Sequence, residues 1–481
     1  MKDMSIVSAT KWSIISELLA KLIVPITTMT LARILSLESF GVVTSIMLII
    51  TLADDIINVA FQKVIVQIEI KNTEKIENYC NIVFLGNLLV SISLWIFITS
   101  FRYKIANFVG IQGKELEIVI TGLILPLSSL STVQESIFIK RLNYKALYHN
   151  RCISILIPFV ITLPLAIILK NHWALIIGNI SLTFIRAIHL TIKSEWMPSL
   201  KYNFKLLLRI KNLLLFNLLD ASIHWASSWT DILFVTKFFG IHYSALYKMS
   251  QTTVTSIISL ITSGITAILF SSLSYYKNDH EKFKEIFFNF QKGVAVLALP
   301  LAAGFYIYRT TIVQILLGNK WLEASEMVGV LGAVTCLIAT YGTFSKEAYR
   351  AIGESKVAFY VQALHLAFII VIFFISFSLN YNEFVIVRSL AFLQILFLHN
   401  IYMKKLFDIK LKNMIKNNVY IILISIIMGI LGIFFKKFSK NLITDFFGIF
   451  MCILFYFILL FRNKEYKNSV LNLLKQYIGK G

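Results

Sequence analysis

Residues Trp12–Val43 read WSIISELLAKLIVPITTMTLARILSLESFGVV. The apolar run from Thr10 to Leu31 is long enough to cross a bilayer as a helix, which takes about 20 residues, yet Glu17 and Lys21 stand well inside it. On a helix turning about 100° per residue, Thr10, Ser13, Glu17, Lys21 and Thr28 fall within about 80° of one another. A charged stripe in hydrocarbon is costly, so this one is expected to face a water-filled cavity or another helix. The corner that follows is repeated. With Arg33 laid on Lys237, LARILSLESFGVV aligns with Val235–Tyr247, VTKFFGIHYSALY. Both copies read as a helix end, a basic residue, a short polar turn and a new helix, which predicts two related halves.

The composition sets the class. Of 481 residues 57% are hydrophobic, 14% aromatic and only 15% charged, and long apolar runs recur, so the chain reads as an all-α polytopic membrane protein. The hydropathy pattern predicts about 14 transmembrane helices. Among them are Gly41–Gln62, Leu116–Ile139, Leu213–Thr236 and Ser244–Phe270. The net charge of +21 would suggest nucleic acid in a soluble protein. Here the basic residues crowd into alternate connections, notably Lys63–Asn78, Ser194–Asn212 and Ser274–Lys292. By the positive-inside rule both termini are then cytoplasmic. Lys2 is not followed by a short apolar core and a small-residue cleavage site, so no cleaved signal is expected. The outer connections are short, the longest about Phe101–Glu115, and leave no room for a catalytic domain.

The basic, Pro198-containing connection marks a boundary. It divides the chain into an N-lobe of helices 1–6 (1–193), a cytoplasmic linker (194–212) and a C-lobe of helices 7–12 (213–405). Two appended helices and a cytoplasmic tail (406–481) follow. Trp12, Trp173, Trp196 and Trp321 fall at predicted helix ends, where amphipathic rings favour the membrane interface. Prolines within spans, among them Pro126, Pro158 and Pro300, predict kinks. The cysteines Cys80, Cys152, Cys336 and Cys452 are scattered through apolar runs and read as packing residues, with neither a disulfide framework nor a metal site.

Three further polar stripes lie inside predicted spans. In the second, Thr44, Thr51, Asp55, Asn58 and Gln62 share about 60° of arc, with Asp54 about 100° away. The adjacent carboxylates either share a proton, or one of them pairs with Lys21. In the seventh, Asn217, Asp220, His224, Ser227 and Asp231 form one face, with Trp225 and Trp229 on the other side. Two acids and a histidine together predict a hydrated or paired cavity face, although His224 alone equally suits a structural hydrogen bond. The eighth carries Lys248, Thr252, Thr255, Ser259, Thr262 and Thr266 on one face. The hydroxyls alone suit interhelical packing, whereas Lys248 adds a point charge able to hold a phosphate. Arg186 either lines the cavity or, as its place near a span end favours, snorkels to the headgroups. Glu135, Arg309, Lys346 and Arg350 sit near span ends, where solvated or headgroup roles are usual. No phosphate-binding glycine loop, dinucleotide fingerprint or paired histidines at metal spacing is found, so neither a cofactor nor a metal is expected.

Several short segments in order, ATKWS (Ala9–Ser13), LARILSLESFG (Leu31–Gly41), LAD (Leu52–Asp54), KRLNY (Lys140–Tyr144), DILFVTKFFG (Asp231–Gly240), LYK (Leu246–Lys248), LFSSLS (Leu269–Ser274), LPLAAG (Leu299–Gly304) and LLGNKW (Leu316–Trp321), resemble a known family. It is that of the Wzx-type polysaccharide repeat-unit flippases, within the multidrug/oligosaccharidyl-lipid/polysaccharide exporter superfamily. Asn58 and Glu135 depart from it, standing where many relatives carry Asp and a basic residue. The resemblance implies a two-lobed, non-enzymatic transporter of the bacterial cytoplasmic membrane. It would turn undecaprenyl-diphosphate-linked oligosaccharides to the outer leaflet for O-antigen, capsule or exopolysaccharide synthesis, with a polysaccharide polymerase and a chain-length regulator as partners. On that reading Lys21, Lys248 and Arg186 meet the diphosphate. Asn58, Asn217, His224, Thr252, Thr255 and Ser259 meet the sugars. Glu17, Asp54, Asp55, Asp220 or Asp231 binds a coupling proton or cation. Two rivals are a multidrug antiporter of the same superfamily, favoured if Trp225 and Trp229 face the cavity, and a polytopic polymerase or glycosyltransferase, disfavoured by the short outer loops.

Overall fold

The computed structural model describes residues 21, 23–68, 76–141, 143–199 and 204–463, and every regular element in them is helical. Among the described residues eleven helices are long and apolar enough to cross a membrane, or twelve with one bent helix counted as a single span. In chain order the long helices are α1 (Ile23–Ile34), α2 (Leu37–Gln67), α3 (Ile76–Ser100), α4 (Glu115–Lys140), α5 (Lys145–Leu169), α6 (Trp173–Lys193) and α7 (Phe204–Phe239). They continue with α8 (Ile241–Tyr275), α9 (His280–Ile307), α10 (Asn319–Ala351), α11 (Lys356–Ser378), α12 (Tyr381–Phe407), α13 (Val419–Phe438) and α14 (Leu442–Arg462). The bent helix is α8, which turns by 43° between Ser263 and Ile268. At 36 residues α7 is the longest, but Asn217, Asp220, His224 and Asp231 dilute its apolar character.

Several connections expected from hydropathy are themselves helical. Lys63–Gln67 continues α2, Phe204–Asn212 opens α7, and α9 begins at His280 rather than after Lys292. Hydropathy marks where lipid ends. The backbone ladder does not stop there, because Lys, Arg, Glu and Leu propagate a helix into water at little cost. What ends these helices is local chemistry. The Ser36 hydroxyl accepts the Ser39 N–H at 3.2 Å, and Asp279 accepts that of Lys282 at 3.1 Å. Asn380 with Glu383 and Asn441 with Thr444 form reciprocal caps, satisfying first-turn donors that have no intrahelical partner.

The chain gathers into two compact units, residues 1–248 and 249–481. In the first, α2 runs through the middle and packs on α3, α4 and α7, while α4 also lies on α6. Among the described residues two apolar clusters run along α2. One takes Val42, Ile46 and Ile50 of α2 with Ile118, Ile124 and Ile176; the other takes Ile57, Val64 and Ile65 of α2 with Ile82, Val133 and Ile210. Asp54 and Asp55 lie along α2 between them. The two matched corners share a local form: α1 gives way to α2 through Leu35–Ser36, and α7 to α8 through Gly240 at φ +88°. They also touch. A Cβ on Gly41 would stand 2.4 Å from the Ile241 carbonyl oxygen, an approach that only glycine allows. The expected proline effects are local: Pro158 opens a π-helical turn, Pro158–Thr162, within α5, and α4 is interrupted at Leu123, just before Pro126.

In the second unit α10 is the most enclosed span and packs along α9. The helices α13 and α14 dock onto α9. Tyr456 donates to the Val296 carbonyl at 2.7 Å, and Lys436 pairs with Asp445 at 2.7 Å while Thr311 donates to the same carboxylate oxygen at 2.6 Å. Two tryptophans expected at the membrane interface are instead inside protein. Trp321, in the first turns of α10, is fully buried, and Trp196, just past the end of α6, nearly so, its ring edge-on to Phe84 and packed in the apolar cluster with Leu206 and Ile210. Lys346, expected at the headgroups, reaches Gln362 of α11 at 3.4 Å. Arg309 and Arg350 pair with Glu326 and Glu347. Cys80, Cys336 and Cys452 are buried free thiols.

Candidate functional site

Within the first unit, α2, α4 and α6 enclose a polar cavity of 250 Å³ at the level of Asp54. The side chains reach it by helical spacing. Asp54, Asp55, Asn58 and Gln62 come from successive turns of α2, Ser128, Thr132 and Glu135 from one face of α4, and Thr183 and Arg186 from α6. Asn58 is the hub. Its amide nitrogen donates to Asp54 Oδ1 at 2.7 Å and to Ser128 Oγ at 2.9 Å, and its oxygen accepts from Asn87 of α3 at 2.7 Å and from Thr132 at 2.6 Å. Ser128 also donates to Asp54. Every donor and acceptor position of the amide is therefore used, as an enclosed amide requires, and three helices are tied through one side chain.

At the other side of the cavity Arg186 Nη2 donates to both oxygens of Glu135, at 2.6 and 2.5 Å. Arg186 therefore does not snorkel, and Glu135 is not a headgroup residue. An opposing charge one helix away is a better partner for a guanidinium than a distant interface. The pair engages only one of the three guanidinium nitrogens, and Nε is buried without a partner among the described residues. The cavity thus combines three carboxylates, one of them held by the arginine, with several hydroxyl and amide groups and an arginine with donors to spare. It can hold a small cation or proton at Asp54 and offer hydrogen bonds to sugar hydroxyls or phosphate oxygens.

The remaining expected residues divide between this neighbourhood and helix seams. Asp55, exposed on the open side of α2, lies within the electrostatic reach of His224 on α7 and Lys248 on α8. The three stripes read separately in the sequence therefore converge. The Lys248 ammonium sits over the Trp229 ring, 4.1 Å from its centroid. Trp225 is buried and donates to Thr51 at 3.3 Å, so it faces α2. The polar face of α7 is split: Asn217 donates to Gln67 at 3.1 Å, Asp220 pairs with Lys63 at 2.5 Å, and buried Asp231 accepts from Tyr247 at 2.9 Å. His224 is exposed, and Ser227 bonds back to its own helix. In the second unit Thr255 and Ser259 donate to carbonyls of their own helix, and Thr252 is half-buried. Lys21 is half-buried; Glu17, with Thr10, Trp12 and Ser13, lies outside the described residues.

Sequence reasoning missed Asn87, Ser128, Thr132 and the Glu135 partnership. A signal was present in LPLSSLSTVQES, where Ser128, Thr132 and Glu135 follow at helical spacing, but hydroxyls are common in membrane helices and do not stand out without their partners.

Comparison with known proteins gives this arrangement its context. Residues 30–326 match the model of a family described as polysaccharide biosynthesis protein. An uncharacterized membrane protein in the cps region of Klebsiella pneumoniae is 22% identical over 70% of each chain. The succinoglycan biosynthesis transport protein ExoT of Rhizobium meliloti is 20% identical over 73% of this chain and 70% of its own. Among solved structures, the lipid II flippase MurJ in an inward closed conformation superposes with a TM-score of 0.76 at 18% identity, over 94% of this chain and 98% of MurJ. An inward-facing MATE transporter of the MOP superfamily gives 0.59 at 13% identity, over 81% and 98%. The fold is that of the MurJ and MATE transporters, and with more than half its length matched this chain of many membrane-spanning helices belongs to the polysaccharide biosynthesis protein family.

Proposed function

We propose that the protein flips undecaprenyl-diphosphate-linked oligosaccharide repeat units across the bacterial cytoplasmic membrane by alternating access, supplying O-antigen, capsule or exopolysaccharide synthesis. The observation that carries this reading is the polar cavity of α2, α4 and α6, with an arginine that retains free donors. A sugar diphosphate needs such a lining within the membrane, while its polyprenyl tail needs none and stays in hydrocarbon. On this reading the chain has fourteen spans with both termini cytoplasmic. It forms two six-helix lobes (1–193 and 213–405) joined by a basic linker (194–212), with α13, α14 and the tail (406–481) appended. A polysaccharide polymerase and a chain-length regulator receive the product.

Arg186, Lys248 and Lys21 attract the diphosphate as point charges and guanidinium donors. Asn217, His224, Thr252, Thr255 and Ser259 present hydrogen-bonding groups to sugars, whereas Asn58, expected among them, has its amide fully used by Asp54, Ser128, Asn87 and Thr132 and shapes the lining instead. Asp54 and Asp55 are the coupling carboxylates this reading favours, because both line the polar cavity, whereas Asp220 and Asp231 lie at helix seams with Lys63 and Tyr247. A coupling role for Glu17 belongs to the same reading. The antiporter alternative is not favoured: the Trp229 face that a cationic drug would use already holds the Lys248 ammonium.

Deletion of the gene, with and without a complementing copy, tests the proposal. Surface polymer is expected to vanish and lipid-linked repeat units to accumulate inside, both reversed by the wild-type copy. Unchanged polymer with heightened sensitivity to cationic drugs would instead assign an antiporter. Within the site, replacing both Lys21 and Lys248 by Ala is expected to abolish export; wild-type polymer in that variant would remove the lysines from the mechanism.

A further inference from the structure

Arg141 and Asn143 of the KRLNY segment line a second feature of the first unit. There the end of α4, the start of α5 and the end of α6 meet around a cavity of 270 Å³. Its apolar wall includes Ile137 and Phe138, and its basic groups are Arg141, Lys145, His149, His189 and Lys193. Glu195 is the one acid lining it, and it pairs with Arg141 at 2.9 Å. The neighbouring Lys140 has a different task, donating to the carbonyls of Ile65, Val66 and Ile68 at 2.9, 3.2 and 2.7 Å, where it closes the C-terminus of α2.

The ammonium groups of Lys145 and Lys193 have neither a hydrogen bond nor an ion pair among the described residues. The His189 Nδ1 is buried and likewise unpartnered there. Three formal cations against one carboxylate leave an excess of two positive charges, at the ends of membrane-spanning helices and beside an apolar wall. The cavity lies just below the roughly 300 Å³ at which pockets for drug-sized ligands begin, so it suits a headgroup. A soluble anion would have no use for the wall.

We propose that this cavity binds the phosphate of an anionic phospholipid, with the start of its acyl chains against Ile137 and Phe138. The lysines attract the phosphate as an anionic leaflet attracts juxtamembrane basic residues, and the arginine held by Glu195 sets the edge of the site. This lipid contact is separate from the cavity of Asp54 and Arg186 and does not depend on what that cavity carries.

The test uses the full chain in nanodiscs containing phosphatidylglycerol or phosphatidylcholine, followed by native mass spectrometry of retained lipid. Phosphatidylglycerol is expected to be retained selectively. Lys145→Ala with Lys193→Ala is expected to weaken retention about 30-fold, from about fivefold per lysine, while Lys145→Arg with Lys193→Arg restores it. Glu195→Gln is expected to strengthen retention. Equal retention of phosphatidylcholine, or unchanged retention in the double alanine variant, would overturn the proposal. Displacement of phosphatidylglycerol by inorganic phosphate alone would also overturn it, by making this a free-anion site.

Discussion

Breaking and then removing the Arg186–Glu135 pair separates its structural role from its proposed role in transport. The side chains are 38% and 21% exposed and joined by two contacts of 2.6 and 2.5 Å. That places the pair between an exposed ion pair, worth about 0–1 kcal/mol, and a buried one, whose rupture costs about 3–5 kcal/mol by stranding a charge. Arg186→Ala alone and Glu135→Ala alone should therefore each destabilise the protein by about 2 kcal/mol. The double variant strands no charge and should recover to within about 1 kcal/mol of wild type. Chemical denaturation of the purified protein in one detergent, read by a buried-tryptophan signal, measures all three. Export, read as surface polymer in the complemented deletion strain, should behave differently. If Arg186 meets the diphosphate, the double variant folds well and still fails to export, while Glu135→Ala keeps an arginine in the cavity and retains partial export. Wild-type polymer from a stable double variant would refute the cargo role of Arg186 and leave the pair a structural tie.

Other consequences follow from the same contacts. Gly41→Ala puts a Cβ 2.4 Å from a backbone oxygen that cannot rotate away, so it should cost about 1–3 kcal/mol in denaturant midpoint. Gly304→Ala, where the new Cβ meets nothing within 4 Å, should be neutral or gain about 0.5–1 kcal/mol. Asn58→Leu strands Asn87, Thr132 and Ser128 and should lose about 1–3 kcal/mol, together with export; Asn58→Gln with normal stability and export would show that the hub is not geometrically exacting. Asp445→Ala removes the ion-pair partner of Lys436 and the acceptor of Thr311 while leaving the Lys436–Thr311 hydrogen bond, and should loosen α14 from α13, seen as faster hydrogen exchange in α14 and unchanged exchange in α2.

The sequence by itself determined the class, the positions of most spans and the polar stripes, because lipid forces every backbone group into a helix and leaves composition as a direct record of depth. It also located the repeated corner, since a turn needs its own residues wherever it occurs. The true ends of α2, α7 and α9 were not legible, because a helix that leaves lipid keeps its hydrogen bonds and stops only at a cap. Partnership was not legible either. Helical spacing tells which residues share a face but not which face of which neighbour they meet. Only the tertiary structure could therefore turn Arg186 inward to Glu135, make Asn58 the hub of α2, α3 and α4, give Asp220 and Asp231 to seams, and bring His224 and Lys248 each within electrostatic reach of Asp55. The physical reason is that a polar group in a membrane protein is stabilised by a partner distant in sequence, and that choice is made by packing rather than by the periodicity of either helix alone.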